Sequence, residues 1–350
     1  MKALIKKKPG PGNIEVVEMP EPLPVEGEVL IEVTAAGICH TDFLMIDWGP
    51  TIKKVYDPSL PIVLGHEFSG RVKKLGSGVE EFEIGDPVVA NPIISCGRCS
   101  YCLDGNQQFC TDRTLLGFQK DGSFAEAVSV PGKNVYKLPE SMDLRTAALC
   151  EPFNTVIRAF QSAKPNYGDT VLISGPGPIG VLGLLMAQFC GCGKIIMSGV
   201  GRDHERLKLA ERLGATPVNI EKENLKERVQ DLTNGAGVDI AIETSGNSNA
   251  LHDDLNLLRR RGKMIVVGLS ETPASFIPID FAYNETEMIG VRAYTHKTWE
   301  TCINILSSGK IDLSPVITHK IPLADIELGF DLVHRSEGLK ILIEPKSDSV

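Results

Sequence analysis

A β-rich first third, a short tail that packs with it, and a doubly wound parallel α/β block between them are what this sequence predicts. Three observations carry that expectation. A chain of 350 residues exceeds what one core comfortably fills, so two domains are expected. Up to about Lys164 the chain reads as short strands separated by Gly- and Pro-rich turns. Beyond it, strand-like runs alternate with amphipathic stretches, the pattern of a parallel sheet covered by helices.

Taken in order, GEVLIEVTA (27–35) alternates and is rich in β-branched residues, which predicts a strand, with further short strands at Ser69–Lys74 and Pro87–Ala90. In the central block, strands are expected at Thr170–Ser174, Lys194–Ser198, Thr216–Asn219, Asp239–Glu243, Met264–Val267 and Met288–Val291. Helices are expected at Asp203–Leu213 and Ser248–Arg261, and in the tail a helix at Lys297–Ser307 and a strand at Lys340–Glu344. Hydrophobic content of 42% and charged content of 23% are ordinary for a globular protein. A net charge of −9, with no basic block, argues against nucleic acid or anionic membrane as partner. The opening MKALIKKKPGPG has no apolar h-region, and the apolar run from Ile179 to Cys190 is too short to span a bilayer. Nine cysteines without secretory context favour reduced thiols and metal ligation, and a cytoplasmic location is expected.

Cys96, Cys99, Cys102 and Cys110 form a C-x2-C-x2-C-x7-C cluster among turn formers such as Gly97, Asp104, Gly105 and Asn106. Closely spaced thiolates gather around one Zn²⁺, at about 2.3 Å each, with little loop-closure cost. Four thiolates leave no open position, so the reading is a structural zinc; free thiols, two disulfides or an iron–sulfur cluster are the other uses of such a set.

Gly175, Gly177 and Gly180 make a G-x-G-x-x-G that follows a predicted strand and opens an apolar helix beginning Pro178-Ile179. That context predicts a dinucleotide loop, its pyrophosphate on the free N–H groups of the helix start. The end of the next strand selects the nucleotide, since a carboxylate there bonds the ribose of NAD and repels the 2′-phosphate of NADP. Gly201 and Arg202 fall about where that acid belongs, so NADP is expected; Asp203 is the alternative, as a ribose ligand for NAD or a helix N-cap.

A second metal set is spread more widely: Cys39 in GICHTD (37–42), His66 and Glu67 in GHEFSG (65–70), and Glu151 in CEP (150–152). One thiolate, one imidazole and one or two carboxylates suit a zinc with room for water or substrate, although each residue alone has an ordinary packing explanation. In this order, together with the four-cysteine lobe and GPGPIG (175–180), the motifs resemble the zinc-dependent medium-chain dehydrogenase/reductase family over essentially the whole chain. The likeness is to its bacterial polyol branch around sorbitol dehydrogenase, with glucose and threonine dehydrogenases as near relatives.

The resemblance implies a GroES-like catalytic domain (1–155 and 292–350), an inserted Rossmann coenzyme domain (156–291), a cleft between them, and a homotetramer or dimer. It implies a catalytic zinc on Cys39 and His66, with Glu67 and Glu151 as ligands, direct, exchanging or through water. Glu151 is preferred to Cys150 because neighbours on an extended segment point opposite ways. Zinc would lower the pKa of a secondary hydroxyl on a polyol, sugar or alcohol, and hydride would pass to C4 of the nicotinamide. Thr41 would open a proton relay, His40 would lie near the pyrophosphate, and Leu44 stands where some relatives end that relay in histidine. A nucleotide-binding protein without catalysis is the alternative from another class. Asp42 reads as a buried structural acid. Trp48 and Phe118 are candidates for the pocket, shaped by loops at Phe43–Ser59 and Gly117–Gly122. Arg292 and Tyr294 are candidates for substrate or coenzyme contact. Cys190, Cys192 and Cys302 read as inert core thiols, and His204 and His252 as solvated.

Overall fold

The computed structural model describes residues 1–49 and 52–346. Pro50 and Thr51, within the loop expected to shape the pocket, lie outside the described residues. Packing divides the chain into two units. One comprises Met1–Pro152, Tyr294–Ser307 and the chain from Ile317 onward; the other comprises Phe153–Ala293 and Ser308–Val316. The short Ser308–Val316 segment, absent from the sequence expectation, joins the second unit because its Ser314–Val316 turn packs on the apolar helix that follows the glycine loop.

The first unit runs β1 (Lys2–Lys6), β2 (Ile14–Glu18), β3 (Glu28–Gly37), α1 (His40–Asp47), β4 (Ile62–Val63), β5 (Glu67–Leu75), β6 (Pro87–Ala90), β7 (Ile93–Ile94), α2 (Ser100–Leu103), β8 (Thr114–Leu115), β9 (Ala127–Pro131), β10 (Val135–Lys137) and α3 (Leu144–Ala147). Helix α4 (Cys150–Ala163) leads into β11 (Thr170–Ser174), α5 (Pro178–Phe189), β12 (Lys194–Gly199), α6 (His204–Arg212), β13 (Thr216–Asn219), α7 (Leu225–Thr233), β14 (Val238–Glu243), α8 (Ser248–Leu257), β15 (Leu258–Val266), α9 (Pro278–Asn284) and β16 (Glu287–Gly290). The chain returns through α10 (His296–Ser307), β17 (Ile317–Pro322), α11 (Ile326–His334) and β18 (Lys340–Glu344).

In the first unit the main sheet has the order β10-β6-β5-β3-β18-β17, with β9 also paired to β3. Central β3 is buried along both faces, so its alternating pattern is covered on both sides by Val29, Ile31, Val33 and their neighbours. The β3–β5 register sets Gly37 opposite Glu67, and the β3–β18 register sets Leu342 opposite Gly37. Three remote segments therefore converge at one end of the sheet.

The second unit holds six parallel strands in the order β13-β12-β11-β14-β15-β16. Order 3-2-1-4-5-6 is the doubly wound arrangement, with its ligand crevice at the carboxyl ends beside β11. The helix expected over Ser248–Arg261 stops at Leu257, and Leu258–Arg261 join β15 instead. Arg259 has a reason to extend there, since it pairs with Asp239 on β14. Cys302 is buried as expected, whereas Cys190 and Cys192 are half-exposed beyond the end of α5, outside the core.

Behind the carboxyl end of β11 lies a buried polar group. Ser174 Oγ donates to Asp254 Oδ1 at 2.7 Å and lies 3.0 Å from Ser198 Oγ. Burial pushes the Asp254 carboxyl up to about 8, partly offset by the Ser174 hydrogen bond. The unfolded chain ionises this group near pH 4, so between about pH 4 and 8 only the unfolded state loses the proton, and folding stability falls with rising pH. Asp254→Asn keeps the acceptor for Ser174 and removes the ionisation. Its thermal midpoint, compared with wild type, should gain progressively from pH 4.5 to 8; a difference that does not vary with pH would refute the assignment.

Candidate active site and coenzyme loop

Cys39 is the N-cap of α1, just after β3, and His66 immediately precedes Glu67, which opens β5. Their ligand atoms lie within 4.8 Å of one another. Thr41 sits within this set, its Oγ1 3.2 Å from Cys39 Sγ and 3.2 Å from His66 Nε2. Buried Asp42 accepts from the Cys39 N–H at 2.8 Å, and its other oxygen lies 3.3 Å from His66 Nδ1. That contact orients the imidazole with Nε2 toward Thr41 and Cys39, the arrangement a metal-binding histidine needs. Burial alone would lower the His66 pKa, but Asp42 and Cys39 outweigh it and raise it.

Glu67 is fully buried and bonds through both oxygens to Lys340 Nζ, at 2.9 and 2.6 Å. Gly37 makes this possible, since a Cβ there would lie 2.3 Å from Glu67 Oε2. Lys340 also donates to the Ile38 carbonyl at 3.0 Å. Glu151 stands outside the mutually close set and accepts from the Tyr294 hydroxyl at 2.7 Å. Burial and then the negative charge of Glu67 push its carboxyl up to about 7.

The extended segment assumed around Glu151 is a helix: Cys150 and Glu151 open α4. Successive side chains on a helix diverge by about 100°, not 180°. The choice between them rests instead on environment, since Cys150 is wholly buried against Cys302 whereas Glu151 senses the charges of Glu67 and His66. Thiol, imidazole and carboxylate donors crowded in a buried place, with a hydroxyl between them, fit a zinc ion.

The four-cysteine lobe folds as α2 and its flanking turns. Sγ atoms of Cys96 and Cys102 lie 4.0 Å apart, and those of Cys99 and Cys102 3.5 Å apart, far beyond a disulfide bond. Cys110 Sγ accepts the Cys96 N–H at 3.3 Å. Backbone donors from Thr111 and Cys102 draw the Cys99 thiol down to about 6, while burial pushes Cys110 up to about 11. All four ligand atoms lie within 4.8 Å of one another, which suits a closed tetrathiolate site.

In the second unit the glycine loop joins β11 to α5. Gly175 has φ +103°, and Gly180 is closed by packing, since a Cβ there would lie 2.0 Å from the Gly175 carbonyl. Gly177, the N-cap of α5, faces open space within 4 Å, where a pyrophosphate could approach the backbone. Pro178 and Ile179 form the first turn, Pro178 losing only an N–H that needs no partner there. Thr244 Oγ1 braces the loop through the Ser174 and Gly175 carbonyls, each at 2.9 Å.

At the end of β12 the structure departs from the sequence expectation. Asp203 is turned back into its own loop, accepting the Val200 N–H at 3.1 Å and lying 3.6 Å from Arg206. Gly201 does not leave an empty corner: its N–H donates to Glu221 Oε2 at 2.8 Å, and a Cβ there would lie 2.5 Å from that oxygen. The space beside Gly201 is therefore occupied by the Glu221 carboxylate.

The description "Alcohol dehydrogenase GroES-like domain" matches residues 25–140, and "Zinc-binding dehydrogenase" matches residues 178–308. The sorbitol dehydrogenase of Halalkalibacterium halodurans is 35% identical, with 99% of each chain covered. This chain is a zinc-dependent medium-chain dehydrogenase/reductase. An L-threonine 3-dehydrogenase of Bacillus velezensis is also 35% identical, again over 99% of both chains. Two crystal structures superpose closely at 28% identity. An alcohol dehydrogenase of Escherichia coli CFT073 in complex with NADH gives a TM-score of 0.89, covering 98% of this chain and 99% of that one. A zinc-binding dehydrogenase of Sinorhizobium meliloti 1021 bound to NADP gives 0.88, with the same coverage. Both nucleotides thus occur among its structural neighbours.

The first unit of this medium-chain dehydrogenase/reductase is GroES-like, the second is the Rossmann fold, and its chemistry is oxidoreduction at CH–OH. Several functional neighbours escaped the sequence reading. Lys340 carried one signal, a lysine heading an otherwise apolar strand. Tyr56 carried none; its ring stacks on Phe118 at 4.6 Å, and Phe118 in turn lies 5.8 Å from the His66 ring. Trp48 lies away from this wall, beneath Lys6 Nζ at 5.2 Å. Tyr294 is buried against Glu151, whereas Arg292 and His40 are exposed. Leu44 packs into the core, so no titratable group follows Thr41 at that position. Among the described residues no helix is long and apolar enough to cross a membrane.

Proposed function

We propose that this chain oxidises a secondary hydroxyl of a polyol or sugar to the ketone, reducing a nicotinamide nucleotide. The observation that carries the reading is the Thr41 hydroxyl held between Cys39 and His66 in a buried donor set. A polyol is supported by the sorbitol dehydrogenase relative, with threonine the alternative that the equally similar L-threonine 3-dehydrogenase relative supports. When bound, zinc supplies a Lewis acid for the substrate hydroxyl, and the nicotinamide supplies a hydride acceptor.

The chain's own residues do the rest. Cys39 and His66 would hold the metal, with Glu67 and Glu151 as further carboxylate ligands. Asp42 orients the imidazole. Thr41 Oγ1 is the first group placed to accept the substrate proton. The Tyr56–Phe118 stack gives the site an apolar wall that limits water. Lys340 offsets the buried charge of Glu67. Gly175, Gly177 and Gly180 present backbone N–H groups to the pyrophosphate.

The test is initial-rate coenzyme reduction by zinc-loaded protein with sorbitol, xylitol, galactitol, glucose, threonine and simple alcohols. Highest kcat/KM on a polyol or sugar is the expected result; a preference for threonine or a primary alcohol would overturn the substrate assignment.

Two zinc ions per chain are expected, the second in the four-cysteine lobe. Cys102→Ser should reduce zinc from two equivalents to one by elemental analysis and lower the thermal midpoint. Retention of two equivalents would exclude the lobe as a zinc site.

A further inference from the structure

We infer that Glu221 is the residue that selects between the two nicotinamide nucleotides, and that it selects NAD. The inference rests on the coenzyme reading above and adds a residue that lies on neither the glycine loop nor the second strand.

Strand order sets the carboxyl ends of β11, β12 and β13 side by side, with the adenosine ribose expected beyond β12. No acidic side chain is available from β12 itself. It ends in Gly199, where a Cβ would lie 2.9 Å from the Pro176 ring, and Gly201 follows shortly after. The missing carboxylate arrives from the adjacent strand. The Ile220 N–H donates to the Gly199 carbonyl at 3.0 Å, pinning the turn after β13 to the end of β12. Asn219 organises that turn, its side chain accepting the Glu221 N–H at 3.1 Å and its carbonyl accepting the N–H groups of Lys222 and Glu223.

Glu221 Oε2 then takes the Gly201 N–H at 2.8 Å. This has two consequences for a nucleotide. A backbone donor that a 2′-phosphate would use is already occupied, and a carboxylate stands where that phosphate would have to go. A ribose hydroxyl, by contrast, is a donor that a carboxylate accepts readily. Two arginines lie at the loop after β12, and Lys222 lies within the turn itself. Arg206 is committed to Asp203 at 3.6 Å, and exposed Arg202 lies near enough to depress the Arg206 pKa further than burial alone does. Exposed Arg202 and Lys222 carry charge that would favour a 2′-phosphate, and they compete with Glu221.

Isothermal calorimetry on the zinc-loaded protein, with NAD⁺, NADP⁺, 5′-AMP and 2′,5′-ADP as titrants, tests this apart from turnover. Wild type should bind NAD⁺ at least tenfold more tightly than NADP⁺. Glu221→Gln, which keeps a polar group but removes the charge, should shift the ratio at least tenfold toward NADP⁺ and 2′,5′-ADP. The position is exposed and on a turn, so the variant is expected to fold. Tighter binding of NADP⁺ by wild type, or an unchanged ratio in Glu221→Gln, overturns the inference. Binding of none of the four overturns the coenzyme reading and the inference with it.

Discussion

Cys39→Ser protein should fold with a normal thermal midpoint and turn over at least about a thousandfold more slowly than wild type, the scale of losing a metal's stabilisation of developing negative charge. Serine fills nearly the same volume at the start of α1, and the backbone contact there, from the Cys39 N–H to Asp42, does not depend on the thiol. What it cannot supply near neutral pH is an anionic soft donor. The expected signature is therefore chemical, with zinc falling by one equivalent, circular dichroism unchanged and kcat collapsing. Wild-type turnover by Cys39→Ser would show that the metal set built on Cys39, His66 and Glu67 is not the reaction centre.

Lys340→Met should destabilise the first unit more than any other single change considered. Lys340 and Glu67 are both fully buried, and their contact spans 273 positions in the chain. Removing one member of such a pair leaves a buried charge without a partner, at a cost of about 3–5 kcal/mol. For a unit of this size the loss corresponds to a drop in thermal midpoint of order 10 °C. Adding Glu67→Gln to Lys340→Met should recover much of that drop, since a neutral amide no longer needs the cation. If the double variant is no more stable than Lys340→Met alone, the lysine acts through packing and not through charge.

How legible the molecule was in its sequence depended on whether the determining contacts were local. The strand at Lys340–Glu344 and the loop Gly175–Gly180 follow from short-range pattern, a run of apolar residues in one case and the steric demands of a turn in the other. The donor set was reachable because each member sits in a distinctive local motif. Lys340, Tyr56 and Tyr294 were hidden or doubtful because their roles come from long-range pairing: β18 beside β3, a ring on Phe118, a hydroxyl on Glu151. Residue 201 shows the limit most clearly. A glycine read along the chain means empty space, yet the side chain of Glu221, twenty positions on, fills it. The helix of Cys150 and Glu151 failed for a related reason, since the two residues before it, Ala148 and Leu149, carry no local stop or start signal.

The pairing of β18 with β3 has a consequence for how this protein is made. Translation delivers β3, α1 and β5 early, but Lys340 emerges only after the whole parallel-sheet unit has been synthesised. Until then Glu67 has no counter-charge and would stay hydrated, and the Ala36–Gly37 end of β3, beyond its pairing with β9, has no strand beside it. The intervening unit draws its strands from consecutive sequence and can form as it leaves the ribosome. The enzyme's catalytic half is therefore begun first and finished last, and in the interval its nascent chain carries an open sheet edge that chaperones would be expected to shield.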